Sequence, residues 1–373
     1  MIKKQPKEQP ERIPPLSQLY IYTTNSCNCS CKHCWIFSGL KASKKEPSHF
    51  LLPETFEATV VEAKRLGLSA VKWTGGEPTI HPDFPALLNL QKKHGLNGRV
   101  ETNGMEVSLA LAKLLLETGV THVAVSLDGI SSETHNAIRG TKGAYRRTLR
   151  GIKNLVEAGF KPQLIMTLMA ENVEELEGLL TLAEKVGAGS VKLNLVQPTL
   201  RGEEIHLSGQ ALSIAELIEI NRRLEKLRQS HRFPIFFDIP MAFRPLSKIF
   251  TGDGCSVCGI KTILGLLADG SYALCGIGEN LPELVFGRAG RGELEEIWKG
   301  HPTLQQIRSG LPKELKGICS RCLMAPRCLG SCVAQNYYRN RDLSSAFWFC
   351  EKAEEEGLFP KTRLHFDSPQ KKV

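Results

Sequence analysis

The chain has 373 residues, 42% of them hydrophobic and 23% charged, the balance of an ordinary globular protein with room for two or three domains and a core that needs no disulfide staples. Its net charge of +9, from 48 Lys and Arg against 39 Asp and Glu, includes no basic block interleaved with aromatics, so a solvated basic surface is expected and no nucleic-acid partner. No apolar run of about 18 residues occurs, which excludes a membrane-spanning helix, and residues 1–8 lack the apolar stretch of a secretory signal, so a cytoplasmic protein with reduced thiols is expected.

From residue 19 to about 238, short β-rich runs alternate with longer helical patterns, which predicts βα units and a parallel sheet. Strands are expected at 19–24, 70–74, 99–102, 122–127, 163–168 and 190–195, with amphipathic helices at 53–66, 108–118 and 173–186. Six units of this kind predict an α/β fold, a partial (β/α)6 barrel. Three consecutive strands end in polar loops: Thr74-Gly75-Gly76-Glu77-Pro78, Thr102-Asn103-Gly104 and Ser126-Leu127-Asp128-Gly129. Loops at the C-terminal ends of parallel strands build the ligand site in such folds, so the three should converge on one pocket. Beyond residue 238 the pattern breaks. A hairpin is expected from 263–267 and 272–275 through Asp269-Gly270, then helical pieces at 293–298 and 304–309, then cysteine-rich loops whose weak apolar periodicity calls for metal to organise them. The expected division is an N-terminal extension (1–18), the barrel (19–240), a cysteine-rich domain (241–352) and a C-terminal tail (353–373).

The twelve cysteines form two islands. Thiolates at short fixed gaps hold zinc or iron-sulfur clusters, and disulfides are disfavoured in a reducing compartment. Cys27-x3-Cys31-x2-Cys34 follows the first strand, and three thiolates leave one iron of a 4Fe-4S cube without a protein ligand. Cys29 reads as a small buried hydrophobe under that loop, with a functional thiol as the alternative. His33 is expected to be exposed.

This spacing and placement, with Trp35 after the third cysteine and the Gly75-Gly76-Glu77-Pro78 loop, resemble the radical S-adenosylmethionine (SAM) superfamily across residues 19–238. The resemblance implies that the open iron chelates SAM and that cluster reduction cleaves it to a 5′-deoxyadenosyl radical, which abstracts hydrogen from an unreactive carbon. It also implies SAM contacts from Trp35, Gly75, Gly76, Glu77, Pro78, Asn103, Ser126, Asp128, Arg139 and Leu195. Glycines at 75 and 76 admit a close backbone approach, an Arg fork at 139 suits a carboxylate, and Glu77 reads equally as a charge or a packing residue. Asn103 and Asp128 read equally as turn formers.

The second island is similar to the SPASM extension of radical SAM enzymes, with a zinc ribbon as the structural alternative. The resemblance implies one auxiliary 4Fe-4S cluster on Cys255, Cys258, Cys275 and Cys332 and another on Cys319, Cys322, Cys328 and Cys350, three clusters in all. Closed clusters suit electron transfer, hence oxidative chemistry. Relatives of this architecture imply a precursor peptide or protein as substrate, with a thioether or other crosslink as product, and an external one-electron donor of flavodoxin or ferredoxin type. Only 18 residues precede the first strand, so a leader peptide is expected to be read either by the barrel and the cysteine-rich domain or by a separate leader-binding protein. Sulfatase-type formylglycine formation is an alternative, weakened by Gly276 where those maturases carry an Asp. A tetrapyrrole or small-molecule substrate stays open, and outside the enzymes so does a non-catalytic electron carrier or zinc scaffold. Asp238, Tyr272 and Glu279 are the candidates for a substrate-side base.

Overall fold

The structure is a computed structural model that describes residues 13–36, 49–251 and 258–365. Residues 1–12 of the expected extension, residues 366–373 of the expected tail and Cys255 lie outside the described residues.

Seven parallel strands follow one another in sequence order: β1 (Gln18–Tyr22), β2 (Ala70–Thr74), β3 (Asn97–Thr102), β4 (Val120–Ser126), β5 (Gln163–Leu168), β6 (Ser190–Leu195) and β7 (Ile235–Phe237). The six expected strands are all present, those at 70–74, 163–168 and 190–195 with the expected ends, and β7 is an addition. Intervening helices include α1 (Pro53–Arg65), α2 (Phe84–Lys93), α3 (Leu109–Glu117), α4 (Ser132–Arg139), α5 (Ala144–Glu157), α6 (Leu176–Lys185), α7 (Arg201–Leu207) and α8 (Ile214–Ser230). Their ends follow local chemistry. Helix α1 opens with Pro53 and closes on Lys64 and Arg65, and it buries Phe56, Thr59, Val60 and Ala63 at helical spacing. Helix α8 starts at a Ser213/Glu216 capping box.

Between sheet and helices lies one continuous apolar core. At its centre Trp73 packs against Phe56 and Phe84, with ring centroids at 4.9 and 5.7 Å. Its indole N–H donates to Gln91 Oε1 at 2.5 Å, and Gln91 in turn donates to the Thr118 carbonyl at 2.9 Å, so a buried polar pair is satisfied on both sides.

The C-terminal segment does not form a separate sheet. Strands β8 (Ile263–Leu266), β9 (Ser271–Ala273) and β10 (Val285–Arg288) extend the barrel sheet, with β8 parallel to β1 at Leu19↔Leu264, and β9 and β10 antiparallel beyond it. The expected hairpin is thus present and is stitched to the first barrel strand. Helices at Leu294–Gly300 and Pro302–Gly310 occupy the expected places, and Trp298 reaches back to donate to the Pro14 carbonyl at 3.0 Å.

Candidate functional site

A cleft of about 180 Å³ opens at the C-terminal ends of the parallel strands. Its walls include Cys27, Cys31 and Cys34 from the loop after β1, Gly75 and Gly76 after β2, Asn103 after β3, Ser126 at the end of β4, and Arg139 from α4. The three polar loops therefore converge, as parallel βα geometry dictates.

The loops are locked together by backbone bonds. Gly75 sits at φ +124°, a region that favours glycine, and the Gly76 amide donates to the Thr24 carbonyl at 2.7 Å. The Glu77 amide donates to the Ser26 carbonyl at 2.9 Å. A Cβ on residue 76 would stand 1.9 Å from the Ser26 carbonyl oxygen, so only glycine fits against the cysteine loop. Glu77 is 1% exposed, and its carboxylate accepts from the Thr79 amide and hydroxyl, from the Thr102 hydroxyl at 2.6 Å and from the Asn103 amide at 2.7 Å. It borders the cleft and ties the second loop to the third. Burial pushes its carboxyl upward despite those donors. Asn103 donates to Asn28 Oδ1 at 2.6 Å, which extends the tie into the cysteine loop.

The other side of that loop rests on the C-terminus of α4. Amides of Ser30 and Lys32 donate to the carbonyls of Arg139 and Ile138, both at 2.9 Å, and satisfy the orphan acceptors of the helix end. Gly140 at φ +63° makes the turn, and a Cβ there would meet the Ser30 carbonyl oxygen at 2.4 Å. Arg201 of α7, 2% exposed, donates to the Cys31 carbonyl at 3.0 Å. Cys29 faces the same cleft as its neighbours, with its amide donating to Cys27 Sγ at 3.4 Å, so it lies beside the three thiols rather than in the core beneath them.

Asp128 is wholly buried behind the cleft wall. Its Oδ2 accepts from Arg139 at 2.7 Å and lies 3.0 Å from His33 Nε2, and its Oδ1 accepts from the Thr167 amide at 2.8 Å. Although burial alone would raise it, Arg139 and His33 hold the carboxyl well below the usual range. The expectation of an exposed His33 is corrected here: its side chain is 12% exposed because it closes over Asp128.

Of the expected SAM contacts, Trp35, Gly75, Gly76, Glu77, Asn103, Ser126 and Arg139 line the cleft, whereas Pro78, Asp128 and Leu195 do not. Leu195 points into the core, and its neighbour Asn194 faces the cleft, as alternation along β6 requires. Thr74 and Thr102, from the loops expected at the pocket, also line it, and sequence reasoning passed over Glu101, Ile165, Thr167 and Asn194, which do so too. Glu101 pairs with Lys72 at 2.6 Å inside the barrel. The signal was available: Tyr20, Lys72, Glu101, Lys192 and Asn194 are polar at strand positions that ought to be apolar if both faces were core.

The described C-terminal cysteines gather in two sets. Cys258, Cys275 and Cys332 stand close enough for each thiol to feel another, and burial first, then those neighbours, pushes all three up to about 12. Cys319, Cys322, Cys328 and Cys350 line one small apolar cavity with Phe347 and Phe359, and burial again raises every thiol. Groups of thiols buried in protonated form suit metal, which displaces their protons and recovers the cost of burial. Among the described residues no three Cys, His, Asp or Glu converge tightly enough for a single ion; in a cube each thiolate takes its own iron. No disulfide joins described residues.

Asp238 borders a chamber of about 260 Å³ that also touches Tyr20, Lys192, Cys258, Cys328 and Cys332. Tyr272 is fully buried, its hydroxyl 3.1 Å from that of Thr59 on α1. Glu279 is half-buried in the short turn after Cys275.

Residues 21–183 match the family model of the radical SAM superfamily. The mycofactocin maturase MftC of Mycobacterium tuberculosis is 25% identical, over 93% of this chain and 85% of the relative. The AdoMet-dependent heme synthase of Methanosarcina barkeri is 27% identical, over 88% and 94% respectively. Among solved structures, Streptococcus suis SuiB bound to its precursor peptide SuiA shares the fold at a TM-score of 0.70 and 17% identity, over 91% of this chain and 76% of SuiB. No helix of the described residues is long and apolar enough to cross a membrane. With the matched segment, the barrel and the three-cysteine loop over its mouth in one place, residues 21–183 are a radical SAM domain and the chain that carries it is an enzyme.

Proposed function

We propose that this enzyme oxidatively modifies a peptide or protein, using SAM at the barrel mouth and three 4Fe-4S clusters. The observation that carries the reading is the sorting of the described cysteines into three separate sets: Cys27, Cys31 and Cys34 at the cleft, Cys258, Cys275 and Cys332 beside the barrel, and Cys319, Cys322, Cys328 and Cys350 in the C-terminal cavity. Cys255 is proposed to complete the second set. A reduced cluster with an open iron supplies the one-electron cleavage of SAM, and the chain's own residues bind, orient and shield the reactants. Gly75 and Gly76 give SAM a side-chain-free wall, Asn103, Ser126 and Asn194 offer polar groups, and Arg139 offers a cation. The two closed sets would take the second electron out of the substrate and return it towards an external flavodoxin- or ferredoxin-type donor. A separate leader-binding protein and a cytoplasmic setting complete the proposal.

Support for a peptide comes from the maturase relative and from the precursor-peptide complex of the structural neighbour. Formylglycine chemistry is disfavoured by Gly276. A Cβ there would stand 2.2 Å from the ring of the fully buried Tyr22, leaving no room for an Asp. The heme synthase relative supports a tetrapyrrole substrate as the second reading. Anaerobic reconstitution should give about 12 iron per chain, and coexpression with a candidate precursor should lower the peptide's mass by two hydrogens. A peptide of unchanged mass, with a tetrapyrrole consumed instead, would favour the second reading.

A further inference from the structure

Arg139 is the family resemblance's candidate for the SAM carboxylate, yet both of its terminal nitrogens are already engaged. One terminal nitrogen donates to Asp128 Oδ2 at 2.7 Å, and the other donates to Cys31 Sγ at 3.5 Å. The side chain is 8% exposed, and its Nε is buried with no hydrogen-bond partner. Asp128 is itself fixed from three directions: Thr167 donates to its other oxygen, Asn172 donates to its carbonyl at 3.0 Å, and its amide donates to His135 Nδ1 at 3.1 Å. His33, from the cysteine loop, closes on the same oxygen that holds Arg139. The cation beside Cys31 is therefore built in, anchored to β5 and α4 by elements that need no bound ligand.

We infer that Arg139 is a resident hydrogen-bond donor to the Cys31 sulfur, positioned by Asp128, and that it sets the reduction potential of the cluster at Cys27, Cys31 and Cys34 before SAM arrives. This rests on the reading of those cysteines as cluster ligands. The physical reason is simple. Reduction adds negative charge to the cluster and its thiolates, and a cationic N–H aimed at a ligating sulfur stabilises the more anionic state. These bonds use two of the guanidinium's five N–H groups, so others remain for a carboxylate entering the cleft, and one residue links the potential of the cluster to the arrival of SAM. Arg201 on the Cys31 carbonyl adds a second cation to the same residue.

The test is a redox titration of the reconstituted full-length protein without SAM, followed by electron paramagnetic resonance. The variant with Cys27, Cys31 and Cys34 all replaced by Ala supplies the signal to be subtracted. Arg139→Met should lower the one-electron reduction constant of the subtracted component at least about tenfold, a midpoint shift of about 59 mV, and Arg139→Lys should recover part of it. An unchanged SAM-free midpoint together with weakened SAM binding would show that Arg139 serves SAM alone and would overturn the inference. Should Arg139→Met fail to hold iron, Arg139→Gln, which removes the cation, decides: a midpoint identical to wild type, with SAM binding impaired, overturns it. If the triple variant keeps all its iron and signal, the cluster assignment itself fails, a different result from either of these.

Discussion

Gly76 offers a sharp test of how tightly the cleft is built. A Cβ at this position would stand 1.9 Å from the Ser26 carbonyl oxygen, where an ordinary contact begins at 3.4 Å, so Gly76→Ala must drive the two loops apart by about 1.5 Å. That displacement stretches the Gly76–Thr24 and Glu77–Ser26 backbone bonds of 2.7 and 2.9 Å. Overpacking costs roughly 1–3 kcal/mol and each weakened bond about 0.5–1.5 kcal/mol, for a total of about 2–6 kcal/mol. A folded domain typically holds about 5–15 kcal/mol, so the variant should remain folded in the cold with a lowered Tm. Function should suffer more, because Ser26 adjoins Cys27 and a misplacement of about 1 Å costs on the order of a hundredfold in rate. The assay is 5′-deoxyadenosine release per reconstituted cluster, alongside thermal unfolding, with Gly300→Ala as a control where a Cβ meets nothing within 4 Å. Release within threefold of wild type at equal iron content would mean that the two loops accommodate the methyl group without displacing Cys27.

Three further outcomes follow from the packing. Burial, with Arg139 nearby, depresses His135 to about 4, so its contribution to stability is complete above the unfolded value near 6.5 and is lost as pH falls towards 4. The loss should be about 3 kcal/mol across that window, and chemical denaturation of His135→Gln should show a flatter pH dependence; an unchanged slope would contradict the assignment. Gly276→Ala should lower stability by roughly 1–3 kcal/mol because its Cβ meets the buried Tyr22 ring, and an unchanged Tm would count against that contact. Gln91→Leu strands the Trp73 indole and the Thr118 carbonyl, at about 1–3 kcal/mol for each unsatisfied group. Denaturant midpoints would show this, and neutrality would mean that the pair is solvated.

Much of the barrel was legible because the evidence for it is local. Alternation and flanking turns placed β2, β5 and β6 to the residue, and parallel βα geometry put the glycine, Asn103 and Ser126 loops at one mouth. What escaped was set by pairing across long stretches of chain. Nothing in the run from 263 to 266 announces that it will lie beside β1, some 240 residues earlier, because register is chosen by partners and not by periodicity. Roles within the site were likewise hidden. Asp128, in a loop that looks ligand-facing, proves to be a buried anchor, and His33, between two cysteines, closes over it. Glu101 was readable as a polar residue on an inward strand position, yet only the folded barrel shows Lys72 beside it.

The cleft cysteines are proposed to hold a catalytic cluster independent of the C-terminal sets. This is tested most directly by replacing Cys27, Cys31 and Cys34 with Ala, reconstituting anaerobically, and measuring iron and dithionite-driven SAM cleavage together. The variant should release no 5′-deoxyadenosine and retain about 8 iron per chain, four for each of two remaining cubes. Continued SAM cleavage in that variant, or loss of all its iron, would contradict the proposal.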